Sequence, residues 1–176
     1  MERPMLRYLP PALIALALAG CATTTTKSRN LATAELADAS GRPVGTAVFS
    51  RRGNEILINL SVAGTPGAVH GLHLHAVGKC ETPFTSAGPH LNPGGHQHGK
   101  DNPMGSHLGD LPNVTIGQNG VGTADASLGT DAAAIDAALF DADGSAIVLH
   151  AAADDYRTDP SGNSGPRIAC GVLTRG

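Results

Sequence analysis

The sequence predicts an all-β domain, a sandwich or barrel of about eight short strands. Three observations carry this. Short segments alternate between apolar and polar residues with a period of two. The 23 glycines and 12 prolines among 176 residues cluster between those segments as turn signals. No helix-length 3.6-residue pattern survives outside the N-terminal leader. The length suits one domain with its own core. With three Phe, two Tyr and no Trp, that core must be built from Ala, Val, Leu and Ile.

The strands read as follows. LATAELAD (31–38) alternates weakly, and PVGTAVFS (43–50) follows a Gly41-Arg42 turn. EILINLSV (55–62) alternates cleanly and puts Ile56, Ile58, Leu60 and Val62 on one face. VHGLHLH (69–75) is the next strand. No strand pattern then returns until about Leu111, and a loop of that length is functional or disordered. Strands resume at LPNVTI (111–116), GVGTADAS (120–127), AIDAALF (134–140), SAIVLH (145–150) and RIACGVL (167–173). The segment TDAAAIDAALF has helix-forming alanines, but it runs into Asp141-Ala142-Asp143-Gly144, a hairpin signal. It is therefore read as loop then strand. Those aspartates do not have the spacing of a calcium loop. A second long polar loop spans Ala151 to Pro166, and no internal repeat is present.

Residues 1–20 read as an export leader. Arg3 and Arg7 precede an apolar run from Leu9 to Ala19, too short to span a bilayer. The run ends in Leu18-Ala19-Gly20-Cys21, which resembles a bacterial lipobox, and the polar stretch ATTTTKSRN follows. The expectation is a lipidated Cys21, a flexible linker over 21–30 and one domain over 31–176. The chain would be anchored on the periplasmic side of a bacterial membrane. Ala22, rather than Asp, leans toward the outer membrane. The competing reading is an ordinary signal peptide with a chance cysteine. Three cysteines are odd for an exported protein. With Cys21 assigned to lipid, Cys80 and Cys170 pair in an oxidising compartment, the alternative being two buried thiols. The net charge of −3 argues against nucleic acid as a partner. A homodimer is neither required nor excluded.

The chemistry sits in the histidines. All eight lie between positions 70 and 150, and HLNPGGHQHGKDNPMGSHLGD (90–110) holds four of them with Asp101 and Asp110. His73 and His75 share a strand face, with Leu72 and Leu74 turned to the core. His70 falls on the leucine side and reads as structural. His90, His96, His98, His107, Asp110 and His150 complete the set. Imidazoles with a carboxylate suit zinc or copper, and a bound metal would order the loop.

The stretches HGLHLHAVGKC, SAGPHLNP, HGKDNPMGSHLGDLPNV, GSAIVLHAAADDY and GNSGPRIACGV resemble the copper/zinc superoxide dismutase family, bacterial periplasmic branch. The resemblance covers roughly 31–176, in family order. It implies an eight-stranded Greek-key β-barrel, a flattened sandwich with two long functional loops. It implies copper on His73, His75, His90 and His150, and zinc on His90, His98, His107 and Asp110, with His90 bridging. Asp154 would link a copper-side to a zinc-side histidine, Arg167 would dock the superoxide anion, and Cys80–Cys170 would be the family disulfide. Copper would be alternately reduced and reoxidised by superoxide, with His90 giving and taking a proton, while zinc stays structural. His96 has no counterpart. Lys79, Lys100 and Arg157 are candidates for steering the anion. The rival reading is a non-catalytic copper/zinc-binding lipoprotein for metal storage or transfer. It leaves Arg167 and a bridging histidine unexplained.

Overall fold

The computed structural model describes Met1 and residues 27–176. The expected leader, Cys21 and most of the linker lie outside the described residues. Strand structure begins at Arg29, inside the span expected to be linker.

Strands β1 (Arg29–Asp38), β2 (Pro43–Arg52) and β3 (Glu55–Ala63) form consecutive antiparallel hairpins. The first turn is closed by Asp38, whose Oδ1 accepts from the backbone N–H of Ser40 and of Arg42. Ile56, Ile58, Leu60 and Val62 are all buried, as the alternation predicts. There follow β4 (Val69–His70), β5 (Leu72–His75), β6 (Val114–Thr115), β7 (Val121–Gly129), β8 (Ala146–His150), β9 (Arg167–Val172) and β10 (Thr174–Arg175). The main sheet runs β5-β8-β9-β1-β2-β3-β7, with β10 also on β1, and β4 pairs with β6. An isolated bridge from Ile116 to Gly122 joins the β6 side to β7. Because β4 runs into β5 and β9 into β10, the sheet curls into a ring of eight strands with crossovers between non-consecutive neighbours.

Two readings are corrected. Residues 134–140 are not a strand: Ala132–Leu139 form an α-helix, α1. Asp131 caps it, its side chain accepting from the Ala134 N–H at 3.2 Å. Ala132, Ile135 and Leu139 are buried at the three- and four-residue spacing of one helix face. Asp141 accordingly makes a turn from helix to strand, not a hairpin, accepting from the N–H groups of Asp143 and Gly144. LPNVTI shrinks to the two-residue β6. Pro112 cannot donate to a ladder, and Asn113 is engaged elsewhere.

Strand β8 is buried along its whole length. Ile147 and Leu149 face the main core, while Ala146 and Val148 pack with Phe84, Ala87 and Cys170 in a smaller cluster outside it. The Cys80–Cys170 disulfide closes that cluster, with Cα atoms 5.6 Å apart across a sequence separation of 90.

Candidate metal centre

Strands β5 and β8 are neighbours, with His73 opposite Val148 and His75 opposite Ala146. The register turns Leu72, Leu74, Ile147 and Leu149 inward and His73, His75 and His150 outward. The loop from 76 to 113 then folds back over that outer face. It is pinned by single bridges from His75 to His90 and from His73 to Asp110. The outward histidines are therefore buried, His73 and His75 fully. His90, His98 and His107 are buried beside them.

Hydrogen bonding fixes which nitrogen of each ring is free. His75 Nδ1 lies 2.8 Å from the Gly88 carbonyl and His150 Nδ1 lies 3.0 Å from the Gly165 carbonyl. A carbonyl only accepts, so both Nδ1 atoms carry hydrogen and both Nε2 atoms keep a lone pair. His73 donates from Nε2 to Asp154 Oδ2 at 2.7 Å, which frees its Nδ1. His90 Nδ1 faces Asp110, which leaves its Nε2. Among the described residues, five buried side-chain polar atoms have no hydrogen-bond partner. Four of them are His73 Nδ1, His75 Nε2, His90 Nε2 and His150 Nε2. These four residues offer ring nitrogens within 4.8 Å of one another. Burial lowers the pKa of His73 to about 4, against the hydrogen bond to Asp154 that raises it. Burial also lowers His150 to about 4 and His75 to about 2. His73, His75 and His150 are therefore neutral at pH 7, the form in which a ring nitrogen can take a metal without first losing a proton.

A second set converges on one oxygen. Asp110 Oδ1 lies 3.1 Å from His90 Nδ1, 2.9 Å from His98 Nδ1 and 3.2 Å from His107 Nδ1. The Nδ1 atoms of His107 and His90 are 3.4 Å apart. A tetrahedron with arms of 2.0–2.1 Å has edges of about 3.3 Å, so the donor set fits a zinc ion. Proximity alone also groups His73 with His90, His98 and Asp110. His73 is assigned to the first set, because its Nε2 is committed to Asp154 and its free nitrogen is Nδ1. Asp110 Oδ2 accepts from the backbone N–H of Gly99 and His107, which fixes the carboxylate.

Asp154 joins the two sets, through Oδ2 to His73 and through Oδ1 to His98 Nε2 at 3.0 Å. Burial would raise the pKa of Asp154, but hydrogen bonds from His73 and His98 hold it well below the usual carboxylate range. Burial would likewise lower His98, yet hydrogen bonds to Asp110 and Asp154 outweigh it and raise its pKa to about 9.

Arg167 stands half-buried at the start of β9. Its guanidinium donates to the Phe84 carbonyl at 2.6 Å and to the Gly88 carbonyl at 2.7 Å. Gly88 O is also the acceptor for His75, so one carbonyl orients both the arginine and a histidine of the first set. Burial lowers the Arg167 pKa from its usual value, but a guanidinium stays charged at neutral pH.

The sequence-predicted residues His73, His75, His90, His98, His107, Asp110, His150, Asp154 and Arg167 thus belong to one connected site. His96 does not join it. Its ring is exposed, and its backbone is held by both ends of the Asn92 side-chain amide. His70 lies outside it too, with Nδ1 2.8 Å from the His150 carbonyl. It is only partly buried, and the break at Gly71 separates it from the β5 alternation. Lys79 and Arg157 are exposed, and Lys100 lies over the Tyr156 ring at 4.1 Å. Sequence reasoning missed Asn113, Tyr156 and Gly162, all of which contact Asp154 directly or through one another. Only Gly162 carried a local signal, a glycine in a polar loop.

The family description "Copper/zinc superoxide dismutase (SODC)" matches residues 44–173. The chain belongs to the copper/zinc superoxide dismutase family. Membership makes it an oxidoreductase whose cofactors are copper and zinc. Among its relatives, it is 42% identical over 147 residues to "Superoxide dismutase-like protein YojM" of Bacillus subtilis (strain 168), covering 79% of this chain and 74% of that one. It is 39% identical over 144 residues to "Superoxide dismutase [Cu-Zn] 2" of Aquifex aeolicus (strain VF5), covering 80% and 84%. Its structure matches a superoxide dismutase-like protein from Bacillus subtilis with a TM-score of 0.73 at 37% identity. That match covers 83% of this chain and all of the other.

Proposed function

We propose that this family member dismutes superoxide to dioxygen and hydrogen peroxide, with copper on His73, His75, His90 and His150 and zinc on His90, His98, His107 and Asp110. The four orphaned ring nitrogens carry the reading. An unsatisfied buried polar atom costs about 1–3 kcal/mol, so four facing one another call for a ligand that takes four lone pairs. When bound, copper would supply one-electron redox chemistry, while zinc, which has none, would hold the loop and supply positive charge beside His90.

The chain's own residues do the rest. His90 stands in both sets, with Nε2 toward the first and Nδ1 toward the second. It is the residue placed to hold a proton at Nε2 and deliver it to the reduced substrate. Arg167 has five N–H donors and spends two contacts on carbonyls, so donors remain for an anion. The chain is net negative, so attraction for superoxide has to be local to this guanidinium. The anchored Arg167 and the shared His90 favour catalysis over storage or transfer of metal. We also propose export to the periplasmic side and lipid anchoring at Cys21, in the outer membrane. The support is the leader sequence and Ala22.

Replacing Arg167 with Ala in the full chain tests the reading. Copper and zinc content should be unchanged while dismutation falls about 10- to 100-fold, the worth of one charged hydrogen bond. Unchanged turnover would refute the role of Arg167.

A further inference from the structure

Asp154 touches both metal sets, and two residues from other segments determine where it stands. The Asn113 side chain clamps its backbone in both directions. Asn113 Nδ2 donates to Asp154 O at 2.9 Å, and the Asp154 N–H donates to Asn113 Oδ1 at 2.8 Å. The Asn113 backbone N–H in turn donates to the Tyr156 hydroxyl at 2.7 Å. Tyr156 closes the circuit, its own N–H donating to Asp154 Oδ1 at 2.6 Å.

Tyr156 holds φ of 61°, the left-handed region. That conformation costs a non-glycine residue about 1–2 kcal/mol and persists only where surrounding contacts over-determine it. Here they do. The Tyr156 carbonyl accepts from the Asp101 N–H at 3.0 Å, and the ring lies under Lys100. A side chain at Gly99 would strike the Tyr156 carbonyl, with its Cβ overlapping both carbon and oxygen. The strain therefore ties the 99–101 segment, Asn113 and Asp154 together.

The clamp is asymmetric. The Tyr156 backbone N–H donates to Oδ1, the oxygen that holds His98 Nε2, whereas Oδ2 serves His73. Fixing Oδ1 fixes the His98 ring and so directs its Nδ1 at Asp110.

We propose that Asn113 and Tyr156 are positioning residues for the zinc set. They hold Asp154 Oδ1 so that His98 is locked with Nδ1 facing its partners. This rests on the zinc assignment proposed above. Neither residue belongs to either donor set, so each acts through Asp154.

The test is zinc release from the full chain, loaded with copper and zinc, into excess chelator at neutral pH, read with a chromogenic zinc indicator. Tyr156→Phe leaves its backbone N–H on Oδ1 and removes the hydroxyl that holds Asn113, and Asn113→Ala removes the amide that clamps the Asp154 backbone. Each should speed zinc release about tenfold, at the low end of losses seen for outer partners of metal ligands, with copper release changed less. In an Asp154→Ala background, where no carboxylate reaches His98, Tyr156→Phe should add less than about twofold, because its route is already cut. Equal acceleration in both backgrounds would overturn the proposal and leave Tyr156 a general support of the loop. So would unchanged zinc release in both single variants. A wild-type chain that takes up copper but no zinc would overturn the zinc assignment and this inference together. Zinc uptake with no coupling would overturn only the inference.

Discussion

Removing the Cys80–Cys170 disulfide should weaken both the fold and the arginine site. The bridge closes a sequence separation of 90 residues. The chain-entropy relation gives about 4.6 kcal/mol at 25 °C for a loop of that size. In a domain of this length each kcal/mol moves the melting temperature by about 2–4 °C, so the expected drop is about 9–18 °C. A local effect accompanies the global one. Cys170 lies on β9, three residues after Arg167. Cys80 begins the segment whose Phe84 and Gly88 carbonyls hold the guanidinium. Cutting the bridge frees that segment relative to β9, so turnover should fall. The assay is thermal unfolding by circular dichroism of the Cys80→Ser/Cys170→Ser variant against the wild type, both stripped of metal. Stripping is needed because bound metal stabilises the native state by mass action and would mask the difference. A drop under about 3 °C would refute the entropy argument, since a loop-closure stabilisation of several kcal/mol cannot hide in that interval. Unchanged turnover in the loaded variant would refute the link to Arg167.

Gly162→Ala should cripple the zinc set. Its Cβ would overlap Asp154 Oδ1 and sit 2.7 Å from His98 Nε2, at φ +62°, so Asp154 has to move. A loss of zinc affinity of about 10- to 100-fold in chelator competition is expected, and wild-type affinity would contradict the contact. Asp155 has a pKa lowered from 3.8 to about 2, chiefly by the Thr158 hydroxyl, with backbone N–H groups of Thr158 and Arg157 contributing. A folded pKa below the unfolded one gives stability that is complete above about pH 4 and is lost as pH falls through about 2. The melting-temperature gap between wild type and Asp155→Ala should therefore be widest near neutral pH and close toward pH 2. A gap of constant width would show that Asp155 does not act through its charge.

Much of the barrel was legible because strand period and burial agree. Ile56, Ile58, Leu60 and Val62 alternate in sequence and line the core in space. Helix α1 is hard to read from sequence for a physical reason. Its apolar face is only Ala132, Ile135 and Leu139 amid alanines, which gives little contrast. The capping Asp131 is overshadowed by the turn signal that follows. The parity of His73 and His75 was readable, but their burial was not. Burial depends on a loop that returns from far along the chain, as the bridges to His90 and Asp110 show. Eight histidines in one region pointed to a metal centre, but their division into two sets, and the parts of Asp154 and Arg167, were legible only through the family resemblance. Asn113 and Tyr156 gave no such signal. An asparagine after a proline and a tyrosine in a polar loop look ordinary until the fold brings them to Asp154.

Superoxide dismutation by the full chain, compared between protein loaded with copper and zinc and protein loaded with zinc alone, tests the proposed function most directly. Fast turnover that requires copper is the expected result, with zinc alone giving none. Two tightly bound metals without turnover would contradict it and make the four-histidine set a place to hold copper, with no catalytic use.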